Sequence, residues 1–360
     1  MNILIICGET SANIYGAHLA ETLVNSGHTV YSFGDAIIGA ESKQLLSIDS
    51  TYHSASYGAR HLKRDLINNM ESILKMTNTQ FDRAIIIDFP RYNFDIASLL
   101  QSFNISIYTY ITPNFWIWNQ LSNGKKLLRY SDKVITIFKG EYDFYASIDK
   151  EKVVYLGHPL SLSLLPNKYS DADQKTICIF PGSRRSEIRD HLPVMAKIIH
   201  QLRHHSSFKF SVVCQNKSLH SLINKILDRY KLDSIPIYNN HNFDIHYAIS
   251  APGTNTLRLA LLGIPTTIIG QLKYLAYLIA KYVLRIKIKY IALPNMILDK
   301  PVLPEYVQVG SSTHIIAKEI IRILDSPSSI QEIQNELATI TEKITAPSDY
   351  WDQIAAIISE

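Results

Sequence analysis

Short apolar runs alternate with amphipathic segments almost from end to end of the chain. The spacing predicts strands at Asn2–Cys7, Thr29–Phe33, Ala84–Ile87, Ile105–Ile111, Lys133–Ile137 and Lys152–Leu156. A second series is expected at Thr176–Phe180, Lys209–Cys214, Ile235–Tyr238, Tyr247–Ser250 and Thr266–Ile269. Helical periodicity lies between them, as at Ser11–Asn25, Ile188–His205, Leu219–Tyr230 and Thr254–Leu262. Strand, helix and strand repeated in this way argue for parallel sheets covered on both faces. Ile85-Ile86-Ile87 is the continuous apolar run that a doubly covered strand needs. The alternation slackens once, from Gly157-His158-Pro159 to Asp173, a polar, Ser-rich stretch that reads as an interdomain linker. The expected fold is therefore α/β, with two doubly wound Rossmann-like domains and a cleft between them.

Composition agrees with two cores. The chain has 360 residues, 46% apolar and 19% charged, where about 150 residues per domain is usual. A disordered or charge-driven protein is excluded. Thirty-six Lys and Arg against 32 Asp and Glu leave +4, too little for a dedicated nucleic-acid binder. Cys7, Cys178 and Cys214 match neither a zinc spacing nor a disulfide framework, and read as buried reduced thiols. The apolar start, Met1 to Cys7, lacks a basic leader and ends at Gly8-Glu9, too early for a secretion signal. No apolar run reaches the eighteen or so residues of a spanning helix, since Lys273 and Lys281 interrupt Leu272 to Leu284. A soluble or surface-lying protein is expected.

Common chemistries are missing. There is no G-x-G-x-x-G after the first strand, no G-x-x-x-x-G-K-[ST], no H-E-x-x-H and no G-x-S-x-G. His200 and His204 form a helical i, i+4 pair with no carboxylate or Cys nearby, which reads as a solvated helix face. Four strand-to-helix turns remain, where open α/β sheets put their ligands. They are Gly8-Glu9-Thr10-Ser11-Ala12-Asn13, Asp88-Phe89-Pro90-Arg91-Tyr92-Asn93, Pro181 to Glu187, and Ala251 to Thr256. In the first, Thr10 or Ser11 can cap the helix that follows. In the second, a carboxylate ending an apolar strand is costly unless it has a partner or a task. The third and fourth are Gly turns that open helices, and Arg184 makes the third a cradle for a diphosphate.

In register along the chain, these residues resemble one family, the lipid-A-disaccharide synthases, inverting glycosyltransferases of the GT-B type. The shared pieces are Gly8-Glu9-Thr10-Ser11, Asp88-x-Pro90-x-x-Asn93, Thr112-Pro113-x-x-Trp116-x-Trp118 and Glu141-x-x-Phe144-Tyr145. They continue with Gly157-His158-Pro159, Pro181-Gly182-Ser183-Arg184-x-x-Glu187, Gly253-Thr254 and Leu293-Pro294-Asn295. The resemblance implies transfer of 2,3-diacylglucosamine from UDP to 2,3-diacylglucosamine 1-phosphate (lipid X), releasing UDP and using neither metal nor cofactor. It implies residues 1–160 as an acceptor- and membrane-facing domain, 161–345 as a UDP-sugar domain, and 346–360 as a helix crossing back.

The roles it implies are specific. Asp88 is the candidate base and Glu9 the second choice. Gly182, Ser183, Arg184, Glu187, Gly253, Thr254, Asn255, Arg258 and Asn295 would hold the donor. Ser11, Asn13, Asn93 and Trp116 would hold the acceptor. The sequence departs from the family at Asn13 and Arg91, where carboxylates are usual, and at Arg258, where a Glu is usual. A guanidinium at 258 cannot accept the ribose hydroxyl protons that a Glu would accept. A GT-B enzyme acting on another UDP-sugar, or a non-catalytic nucleotide-sugar-binding relative, stays open on these changes. Acylated substrates also imply a cytoplasmic protein lying on the anionic inner face of the cytoplasmic membrane. Leu272 to Tyr290, with Lys281, Arg285, Lys287 and Lys289, is one candidate contact, and Gly58 to Lys75 is another. Self-association is left open.

Overall fold

The runs that read as most apolar become the inner strands of two parallel sheets. The computed structural model describes residues 1–48, 60–90, 92–162, 175–204, 208–239, 244–271, 289–308 and 312–360. They form two compact units, Met1–Leu162 with Ile344–Glu360, and Ser163–Lys343.

In the first unit seven strands are β1 (Asn2–Cys7), β2 (Thr29–Gly34), β3 (Lys43–Ser47), β4 (Arg83–Ile87), β5 (Ser106–Tyr110), β6 (Lys133–Thr136) and β7 (Val153–Tyr155). Their order is β3-β2-β1-β4-β5-β6-β7, all parallel. Ile3 to Cys7 and Ala84 to Ile87 are completely buried, as strands covered on both faces must be. The helices are α1 (Thr10–Asn25), α2 (Ala36–Gly39), α3 (Arg60–Met76), α4 (Asn93–Ser102), α5 (Leu121–Tyr130) and α6 (Lys139–Ala146). Helix α3 buries Leu66, Met70 and Leu74 in one core with Leu4, Ala84, Ile86 and Ile96.

The second unit repeats the plan with β8 (Lys175–Phe180), β9 (Phe208–Val213), β10 (Ile237–Tyr238), β11 (Tyr247–Ser250), β12 (Thr266–Gly270) and β13 (Glu305–Val307). Their order is β10-β9-β8-β11-β12-β13, again all parallel. The helices are α7 (Arg185–Leu202), α8 (His220–Arg229), α9 (Thr254–Leu261), α10 (Leu293–Leu298), α11 (Thr313–Leu324) and α12 (Pro327–Ile344). Pro193 stands inside α7 without ending it. In both sheets the strand order reverses once, between β1 and β4 and between β8 and β11. Such reversals open a crevice at the carboxyl ends of the strands.

Two strands were not expected. β3 carries half-exposed and exposed side chains, and β13 is three residues long. Both are edge strands, where the apolar run that marks an inner strand is not required. The expected linker is also different in part. Gly157 to Leu162 is packed into the first unit, with His158 and Leu160 buried and a short 3₁₀ turn over Pro159–Leu162. The rest of it, 163–173, lies outside the described residues, as does 272–288 of the basic segment.

The last helix, α13 (Tyr350–Ser359), belongs to the first unit and buries Tyr350, Ile354 and Ile358 there. The Tyr350 hydroxyl hydrogen-bonds to that of Tyr110 on β5 at 2.8 Å. Trp351 stacks on His18 of α1 at 5.4 Å between ring centroids. His158 completes this packing. Its N–H donates to the Ile344 carbonyl at 2.8 Å, and its Nδ1 accepts from the Leu160 N–H at 3.1 Å. The ring meets Tyr15 edge-on and lies 5.1 Å from Phe138.

Burial pushes the His158 imidazole down from 6.5 to about 3, because a buried cation would face no compensating charge and would lose its Nδ1 acceptor. The folded protein therefore refuses a proton that the unfolded chain takes up below 6.5, so stability present above 6.5 is lost as pH falls toward 3. The slope is about 1.4 kcal/mol per pH unit for one such group. His158→Asn keeps an acceptor for the Leu160 N–H and does not titrate. Melting of this variant between pH 6.5 and 4 should follow a flatter curve than the parent; an identical slope would show that His158 titrates normally.

Candidate functional site

The four turns marked by the sequence stand at the two places where the sheets reverse order. Gly8 to Asn13 follows β1 and Asp88 to Asn93 follows β4; Pro181 to Glu187 follows β8 and Ala251 to Thr256 follows β11. The paired strands finish level, with Cys7 opposite Ile87 and Ser250 opposite Phe180.

In the first unit the two turns touch. The Gly8 N–H donates to the Ile87 carbonyl at 3.4 Å, and a Cβ on residue 8 would fall 2.1 Å from the Phe89 ring. Glycine is required there by that close approach. Asp88 is half-buried in the left-handed region with φ 41°, and its N–H is shared between the Tyr110 and Ile111 carbonyls at 3.3 Å each. Ile111 is also left-handed, with φ 60°. That conformation costs an L-residue about 1–2 kcal/mol and is unusual for a β-branched side chain. Such outliers cluster at functional sites. Cys7, beneath the turn, is an inert thiol. Burial pushes it well above its ordinary value, and the Asp35 and Asp88 carboxylates add to the effect.

The other expected residues of this unit differ in burial. Helix α1 begins at Thr10, so Glu9 occupies the cap position, and no side chain caps there; this corrects the expected cap by Thr10 or Ser11. Ser11 is half-buried in the first turn. Asn13, expected at the acceptor, is fully buried with both halves of its amide used. Its Oδ1 accepts from the Asp35 N–H and its Nδ2 donates to the Glu9 carbonyl, both at 2.8 Å. A carboxylate at 13 could make the first bond but not the second, so the amide ties α1 to the loop after β2. Asn93 is 2% exposed as the first residue of α4, which places it in the packing. Trp116 is half-buried with its ring 5.8 Å from Phe138. Arg91 lies outside the described residues.

In the second unit Glu187 changes the picture. Its Oε2 accepts from the N–H groups of Ser183 at 2.9 Å and Arg184 at 3.3 Å, and its Oε1 accepts from the Arg184 guanidinium at 3.0 Å. Gly182, with φ 114°, makes room, because a Cβ there would lie 2.6 Å from that carboxylate. Two of the amides expected to cradle a diphosphate are thus held by the chain's own anion. Glu187, expected at the donor, caps the start of α7 and pairs with Arg184. At the turn after β11, among the described residues, no side chain caps the helix start. Gly253 and Asn255 are exposed, Thr254 is half-buried, and no acidic residue stands in the first turn of α9. The Thr256 hydroxyl donates to the Gly253 carbonyl at 2.7 Å and fixes the turn. Arg258 is half-buried one turn further along α9.

Asn295, expected at the donor, has its side-chain amide engaged within the chain. It is fully buried, its Nδ2 donates to the Leu303 carbonyl and to Glu305 at 2.8 Å each, and its Oδ1 accepts from the Leu303 N–H at 2.9 Å. Glu305 also accepts from the Ile291 and Ala292 N–H groups at 2.7 and 3.1 Å, closing the start of α10. Nothing in the local pattern marks Glu305, because its partners are fourteen residues and fewer upstream and only the fold brings them together. Among the described residues no three His, Cys, Asp or Glu side chains are grouped so as to hold a metal ion. His200 and His204 meet edge-on at 6.2 Å. Asn295→Ala should lower stability by about 1–3 kcal/mol, the scale of leaving buried polar groups unsatisfied. UDP affinity at a temperature where the variant is folded should stay the same; a large loss there would return Asn295 to the binding surface.

Comparisons with known proteins agree with this architecture. The chain is 27% identical to the lipid-A-disaccharide synthase of Geobacter sulfurreducens, over 99% of this chain and 96% of that one. It is 25% identical to the enzyme of the same name from Coxiella burnetii, over 95% and 94%. Among solved structures, UDP-GlcNAc 2-epimerase from Neisseria meningitidis bound to UDP-GlcNAc shares the fold with a TM-score of 0.64 at 12% identity, covering 100% of both chains. WaaG, a glycosyltransferase of lipopolysaccharide biosynthesis, does so with a TM-score of 0.56 at 11% identity, again over 100% of both. These set the fold as the α/β architecture of GT-B glycosyltransferases and UDP-sugar epimerases. The family model of lipid-A-disaccharide synthetase matches residues 3–357, and the chain belongs to that family.

Proposed function

We propose that Asp88 is the general base of a glycosyl transfer in which the second unit binds the UDP-sugar and the first binds the acylated acceptor. Family membership assigns the activity: the protein is a glycosyltransferase that makes the lipid A disaccharide from a UDP-sugar and lipid X. What remains to be assigned is the work of individual residues.

The observation that carries the reading is the placement of all four candidate turns at the two sheet reversals. A direct displacement needs a base for the acceptor hydroxyl and positive charge or N–H groups where the diphosphate leaves. Asp88 is the carboxylate that ends a fully buried strand, set at an angle by a left-handed backbone. Glu9, half-buried at the cap of α1, is the alternative base. Arg184, braced by Glu187, supplies the cation, and the open turn Gly253–Asn255 with the start of α9 supplies N–H and hydroxyl donors. Attack from the face opposite the diphosphate inverts the anomeric centre, and these groups stabilise the leaving UDP without a metal.

Acylated substrates favour a protein that lies against a membrane. Among the described residues no helix is long and apolar enough to cross one. Helix α3 offers a basic surface at Lys63 and Arg64, with Lys63 paired to Asp95. Together with the basic segment around Lys281 to Lys289 it is the proposed contact with anionic lipid.

Turnover is read as UDP released from UDP-2,3-diacylglucosamine and lipid X. Asp88→Asn should lower it by about two orders of magnitude or more while the melting temperature holds, the usual scale for a removed base. Near-normal turnover at saturating substrate would pass the role to Glu9. Arg184→Ala should weaken UDP binding by about 1.5–3 kcal/mol, the scale of a hydrogen bond to a charged group, and calorimetry reads it directly. An unchanged affinity would take Arg184 out of the donor site.

A further inference from the structure

Glu141 is fully buried in the first turn of α6, and both its oxygens are in use. Oε1 accepts from the Thr112 N–H at 2.9 Å and from the Thr112 hydroxyl at 2.6 Å. Oε2 accepts from the N–H groups of Ile137 at 2.9 Å and Phe138 at 3.3 Å. One carboxylate therefore clamps the chain leaving β5 to the chain leaving β6. Burial raises the carboxyl above its ordinary value and the four donors pull it back. Only an ionised carboxylate accepts from all four, because an amide would turn its NH₂ toward one pair of donors.

Ile111 stands between the end of β5 and the clamped Thr112. Its N–H donates to the Ile135 carbonyl at 3.2 Å, and its carbonyl accepts from the Asp88 N–H at 3.3 Å. A β-branched residue has no local reason to sit at φ 60°, so its neighbours must hold it there. We propose that Glu141 is a positioning residue for the reaction. By fixing Thr112 it keeps Ile111 left-handed, and the Ile111 carbonyl then sets the backbone of Asp88 and the direction of its carboxylate. The inference rests on Asp88 being the base.

The test uses the full-length protein, UDP release with saturating UDP-2,3-diacylglucosamine and lipid X, and a melting curve for each variant. Glu141→Gln should lower kcat between about ten- and a hundredfold, as a small misplacement of a reacting group does, with KM for both substrates within about twofold. Adding Ile111→Asn should restore most of the loss, because Asn takes the left-handed conformation readily and needs no clamp to stay there. Should Glu141→Gln fail to fold, Thr112→Val removes only the hydroxyl donor. It should lower kcat several-fold at nearly unchanged melting temperature, again restored by Ile111→Asn. In an Asp88→Asn background Glu141→Gln should add no further loss. A double variant no faster than Glu141→Gln, or the same factor lost with and without Asp88, would overturn the proposal. An unaffected Asp88→Asn would sink the reading of Asp88 and this inference with it. An affected Asp88→Asn beside an unrescued Glu141→Gln would sink the inference alone.

Discussion

A parallel strand covered on both faces has no room for polar side chains along its length. That constraint governs both units. Ala84 to Ile87 is wholly buried, and so are Ile3 to Cys7 and Cys178 with Ile179. Burying an unpaired polar group there would cost several kcal/mol, so polar chemistry appears where the strand stops. At the carboxyl end the chain meets the positive start of the next helix, and the reversal of strand order leaves a gap between neighbouring connections. Asp88 and the Gly8, Gly182 and Gly253 turns all follow from this one arrangement.

The helix starts are treated in two ways. Among the described residues four of them are closed by the chain's own carboxylates: Asp35 at α2, Glu141 at α6, Glu187 at α7 and Glu305 at α10. Each satisfies N–H groups that would otherwise face water or a ligand, and each fixes a loop. The start of α9 carries no acidic residue in its first turn. Glu187 accepts from two amides and from the Arg184 guanidinium. The turn at Gly253 to Asn255, exposed at both ends, is the proposed place for the diphosphate. Backbone strain is placed with the same economy. The left-handed Asp88 and Ile111 directly follow the adjacent strands β4 and β5, beside the connection that the Glu141 clamp holds.

Much of this is legible in the chain. The inner strands can be read from Ile and Val runs because burial on both faces leaves no polar alternation, and β1 and β11 were placed to the residue. The four turns are legible because Gly and a lone carboxylate at a strand end have few other uses. The edge strands β3 and β13 are not legible, since one neighbour and partial exposure relax the demand for apolar residues.

What the sequence alone determined is therefore the layer architecture, the inner strands, the candidate turns and, through motifs in register, the family. Only the tertiary structure decided which of the candidate polar residues are bound within the chain. Asn13, Asn295 and Glu187 carry the same side chains as a ligand site would, and their partners Asp35, Leu303 and the Ser183 amide are fixed by folding. Hydrogen bonding has no sequence period, so a buried amide and a waiting one look alike until the loop closes over one of them. The same holds for Ile111. Its left-handed backbone goes against its own preference, and its neighbour Thr112 is bound by a carboxylate twenty-nine residues further along the chain.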